Sequence, residues 1–113
     1  MRSVLLFALL LCGCSKGPDA DLASIGDARS LGGEWALVNE QAARGQLTAT
    51  YTETMREKLR EQLQSTASSL TQPDSRYGEE IRGLLQEPAD ADPAALRGHA
   101  DKLKQIEDSL ESA

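Results

Sequence analysis

Several residue types are scarce in this chain, and each scarcity removes a class of function. Lys and Arg together number 12 against 18 Asp and Glu, a formal net charge of -6. That balance argues against nucleic acid, whose phosphates need basic patches, and against anionic lipid binding by the body. There is one histidine and there are two cysteines, Cys12 and Cys14. Structural zinc takes about four ligands, so these residues make a poor metal site. The longest apolar run, Val4 to Leu11, is well short of the roughly twenty residues that cross a bilayer. No Gly-x-Ser-x-Gly, phosphate loop or dinucleotide fingerprint occurs, and Asp90-Ala91-Asp92 lacks the Gly and distal Glu of a calcium loop.

Core material is thin as well. After Gly13 the chain holds twelve Leu, three Ile, one Val and no Phe, below the roughly 20% level that warns of disorder. Against this stand strong helical periodicity and many helix-forming residues. The expectation is therefore an all-α protein with a narrow apolar seam. No strand-like alternation or internal repeat is visible.

What is present is concentrated first at the start. Met1-Arg2-Ser3 supplies a basic beginning, Val4 to Leu11 an apolar core, and Ser15-Lys16-Gly17-Pro18-Asp19 an abrupt polar turn. These are the parts of a secretory signal peptide. Leu11-Cys12-Gly13-Cys14 resembles the lipobox of bacterial prolipoproteins, with a branched apolar residue, a tolerant position, a small residue and cysteine. Cys12 is the weaker match, because that position more often holds Ala, Ser or Thr. The resemblance covers the leader only. It implies that Cys14 is lipidated and that cleavage falls between Gly13 and Cys14. The only attached group implied is then the diacylglyceryl and N-acyl lipid on Cys14; no cofactor or metal is expected. Ser15 rather than Asp after Cys14 lacks the usual inner-membrane retention signal of the class, so a periplasm-facing place on the outer membrane is implied. The domain plan is then a signal peptide over 1–13, a lipidated tether over 14–29 and a helical domain over 30–113. The leader is expected to be helical in the precursor alone.

The body is expected to be a helical hairpin or three-helix bundle. Leu31, Trp35, Val38 and Ala42 follow helical spacing and place a helix over Ser30 to Arg44. Gly45 interrupts, and Thr50 to Glu53 has the form of a capping box, so a bend in near-continuous helix is expected there. Glu53 to Leu70 and the last helix are expected as the two long arms of the bundle. Gln72-Pro73-Asp74-Ser75 is a turn, and Asp74 or Ser75 caps a short helix carrying Tyr77, Ile81, Leu84 and Leu85 that ends by Pro88. Asp92-Pro93 starts the last helix. Leu96, Leu103, Ile106 and Leu110 then mark a heptad seam, with His99 at its remaining position.

Candidate chemistry reduces to a few residues. His99, near Glu57 or Glu61, is either a hydrogen-bonded or water-facing seam residue or a pH-sensitive one. The paired carboxylates Glu57–Glu61 and Glu107–Glu111 read as solvated helix surface, since nothing builds a cleft around them. Trp35 and Tyr51 either pack within the bundle or offer an interaction surface. The leading expectation is a non-catalytic, membrane-anchored envelope lipoprotein of structural or protein-interaction type, with an envelope protein or a second copy, joined through the helices, as partner. A periplasmic module sensing a small ligand, metal or pH through His99 is the second expectation. A lysis- or toxin-type small lipoprotein is the third.

Overall fold

The computed structural model describes residues 18–112, with side chains from Asp19 onward. The leader, Leu11 to Cys14 and the start of the tether lie outside the described residues. The rest is all-helical: α1 Pro18–Ala43, α2 Ala49–Ser68, α3 Arg76–Leu85 and α4 Pro93–Glu111. None of these helices is long and apolar enough to cross a membrane.

α1 is the central strut. It touches all three other helices and α4 most extensively, while α2 and α4 do not meet. α2 and α4 run antiparallel to α1 on either side of it, and α3 lies across the third face. The core comprises Ile25, Ala28 and Trp35 of α1, Leu59 and Leu63 of α2, Tyr77, Ile81 and Leu84 of α3, and Leu96, Leu103 and Ile106 of α4.

Three sequence expectations are corrected here. The tether expected up to residue 29 is helix from Pro18 onward, and Ile25 and Ala28 are fully buried. Pro18 at the helix start with Asp19 and Asp21 in the first turn is a start signal that outweighs the turn-forming composition. The Gly32–Gly33 pair lies inside this helix. A Cβ on Gly32 would stand 3.2 Å from Leu84 and 3.7 Å from Ala100, so its small size admits α3 and α4 to the α1 backbone. The most extensively packed antiparallel pair is α1 with α4; Glu53 to Leu70 and the last helix, expected as the two long arms, do not touch.

The third correction concerns Gly45. α1 ends there rather than bending. Gly45 takes φ 71°, the Gly45 N–H donates to Ala42 O at 3.0 Å, and Gln46 N–H donates to Gln41 O at 3.0 Å. This is a Schellman stop, which favours glycine because other residues strain at positive φ. α2 then starts afresh, with the Thr48 hydroxyl accepting from Tyr51 N–H, two residues earlier than the expected box. Ser75 caps α3 and Asp92 caps α4, as their sequences indicate.

One buried carboxylate closes the end of the bundle where α1 begins. Asp21 is 1% exposed. It accepts from Thr71 N–H at 2.9 Å, the Thr71 hydroxyl at 3.0 Å, Gln72 N–H at 3.1 Å and the Tyr77 hydroxyl at 2.6 Å. Burial alone would raise the Asp21 carboxyl, but these bonds, that from Tyr77 foremost, more than offset it and hold it below the ordinary aspartate range. Tyr77 is correspondingly pushed up, by burial and by donating to Asp21.

A depressed carboxyl contributes stability above the unfolded-state value, about pH 3.9, and loses it as pH falls through the folded-state value. Asp21→Asn removes this contribution and leaves donors without a carboxylate, a loss on the order of 2–3 kcal/mol at neutral pH. We expect chemical denaturation at several pH values to show the gap between wild type and Asp21→Asn narrowing only below about pH 4.

Candidate interaction groove

A broad concave surface lies beside α2. An open groove of 940 Å³ runs between α2 and the α3–α4 connection, with Ala42, Leu47, Leu85 and Ala89 as its apolar lining. Its α2 wall follows from helical spacing. Thr52, Leu59 and Leu63 point into the bundle, and Arg56 and Arg60 sit at i,i+4 on the adjoining strip. Glu53, Glu57 and Glu61 lie farther out and are exposed.

Both guanidiniums are held from beneath. Arg56 Nε donates to Asn39 Oδ1 at 2.8 Å, and the Arg60 guanidinium stands 5.6 Å from the centre of the Trp35 ring, a cation–π distance. Asn39 and Trp35 are themselves fixed by the α3–α4 loop. Asn39 Nδ2 donates to Ala91 O at 2.8 Å and Ala89 O at 3.2 Å, and Trp35 Nε1 donates to Ala89 O at 2.9 Å. The loop carbonyls thus position two α1 side chains, which position two α2 arginines.

Trp35 is fully buried in this relay and offers no surface; its indole packs in the core and spends its N–H on Ala89. Tyr51 is 51% exposed, but on a face of α2 that does not line the groove. The two residues expected to share an interaction surface are therefore apart.

His99 is half-buried between α4 and α3 rather than in the seam, where Ala100 takes the core position between Leu96 and Leu103. Its Nδ1 meets a Glu80 carboxylate oxygen, and its Nε2 meets Glu87 Oε2 at 2.8 Å. Gly83 leaves room for the ring: a Cβ there would stand 3.2 Å from His99 Cε1. Glu57 and Glu61, the neighbours expected from the sequence, belong to α2 and face away because α2 and α4 do not touch. The heptad seam is spent on the core, leaving no continuous apolar stripe for self-association through it.

No known protein family, curated protein or solved structure matches the chain.

Two further acidic features are ion-paired. Glu40 is held below the usual glutamate range by the hydrogen bond and charge of Arg97, with Arg44 at 3.0 Å adding to it, which ties the end of α1 to the start of α4. Among the described residues, Glu107, Asp108 and Glu111 can bring oxygens within 4.8 Å of one another. Of these, Glu107 pairs with Arg29 at 3.1 Å and Asp108 with Lys104 at 3.1 Å.

An imidazolium donates to both Glu80 and Glu87, whereas a neutral ring donates to one and turns a lone pair to the other. A glutamine carries both its donors on one nitrogen and so does not reproduce the reach of the two ring nitrogens to both carboxylates. We expect His99→Gln to lose about 1–2 kcal/mol of unfolding free energy, measured by urea denaturation.

Proposed function

We propose that this protein is a non-catalytic envelope lipoprotein, anchored through lipid on Cys14, that works by protein–protein contact through its helical body. The observation that carries the anchor is Leu11-Cys12-Gly13-Cys14 behind a short apolar leader. The contact reading is supported by the groove beside α2, an apolar depression walled by two arginines that the fold positions from below. An acidic body with no helix able to span a bilayer among its described residues fits attachment by lipid. Two or more acyl chains give stable attachment where one does not. Both ring nitrogens of His99 face carboxylates, leaving neither for a nucleophile, which supports a non-catalytic role.

On this reading the anchor and the fold are close together. Only Ser15, Lys16 and Gly17 separate Cys14 from Pro18, a reach of about 14 Å at full extension. The Asp21 end of the bundle then lies nearest the membrane. α1 spans 26 residues from Pro18, about 39 Å at 1.5 Å per residue, so its Ala43 end can stand that far from the anchored end.

For the anchor, we expect radiolabelled palmitate to enter the wild-type chain and not Cys14→Ser, with the variant leaving the membrane fraction. Cys14→Ser that stays membrane-bound without label would contradict the lipid anchor.

A further inference from the structure

We infer that the groove beside α2 takes α2 of a second copy of this chain, packed antiparallel about a two-fold axis between Arg56 and Glu57. This names the partner of the surface proposed above and does not depend on the lipid.

The argument starts from charge. Among the described arginines, Arg29, Arg44, Arg82 and Arg97 each stand within ion-pair distance of a carboxylate. Arg56, Arg60 and Arg76 do not, and of these Arg56 and Arg60 stand together in one wall with three glutamates although the chain is acidic. Their inner contacts are to an amide and an aromatic face, so no carboxylate of the fold neutralises them. A complementary surface must bring acids to Arg56 and Arg60 and bases to Glu53 and Glu57.

α2 itself meets that requirement when reversed. In the register that sets Glu53 against Arg60 of a second copy, Arg56 falls against Glu57, and the same pairs recur on the other side of the axis. Thr52 then faces Glu61, and Ala49 faces Gln64. Every α2 residue that lines the groove is matched by another lining residue, as an isologous contact requires. A parallel arrangement in the same register would set like charges together. The shape agrees. α2 is one wall of the groove, so each copy's α2 can enter the other's depression, bringing the outer strip of each helix over Leu47, Leu85 and Ala89. The charged pairs fix register and orientation, while the apolar lining supplies the burial.

The test uses full-length chains carrying two different affinity tags, co-expressed in a bacterial envelope and solubilised in mild detergent. We expect wild-type copies to co-purify. Glu53→Arg with Glu57→Arg should cut that yield at least tenfold while leaving the thermal melt unchanged, because neither glutamate is bonded within the fold. A copy with Arg56→Glu and Arg60→Glu should likewise fail to pair with itself, yet pair with the reversed-glutamate copy. Should the arginine variant melt early through loss of its Asn39 and Trp35 contacts, the glutamate variant alone decides. Leu37→Glu and Tyr51→Glu, on other faces, should retain pairing. Wild-type copies that never co-purify, or a folded glutamate variant that pairs as well as wild type, would overturn the inference. A monomer that still incorporates palmitate would do so while leaving the anchor intact. A dimer without label would do the reverse.

Discussion

The Asp21 carboxylate is where three segments of the chain are joined. It belongs to the first turn of α1, it receives both donors of Thr71 and the amide of Gln72 from the α2–α3 connection, and it receives the Tyr77 hydroxyl from α3. A carboxylate stripped of water is costly unless its oxygens are occupied by donors. Here the occupation is dense enough to lower the carboxyl despite burial. The consequence is a register constraint. With Asp21 seated, α1 cannot slide against α2 or α3, and Ile25, Ala28 and Trp35 fall at fixed heights along the core.

The other end is closed by different chemistry. There two backbone carbonyls, Ala89 and Ala91, receive Trp35 and Asn39. A small bundle with few large apolar residues thus relies on polar closure at both ends of its central helix. The second closure also has an outward product. Because Asn39 and Trp35 are fixed, Arg56 and Arg60 are held against them at the groove wall, which lowers the entropy cost of engaging a partner. The groove and the core are therefore built from the same side chains.

The helical class, the Ser75 and Asp92 caps, the Pro88 stop and the inward positions of Leu96, Leu103 and Ile106 are legible in the sequence, because they rest on local spacing and capping. The extent of α1 is less so. Gly17, Pro18, Asp19 and Ala20 have the composition of a linker, and only the order of Pro before the acids marks a helix start. The Gly32–Gly33 pair argues against helix until the neighbours are known, since its use is to admit Leu84 and Ala100. The partners of His99 and the relay to Arg56 and Arg60 depend on which helices touch, and periodicity carries no such information. Asn39 and Asp21 look like ordinary polar residues until burial reveals their roles.

The central claim is that the chain is folded from its first described turn, so that residues 18–29 are part of the bundle and not a spacer. Native-state hydrogen exchange on the full chain tests it most directly. The account predicts that amides from Ile25 to Ala28 exchange as slowly as those from Leu96 to Ile106, opening only with global unfolding. Exchange of the Ile25–Ala28 amides at the rate of an unprotected chain, while the last helix remains protected, would contradict it.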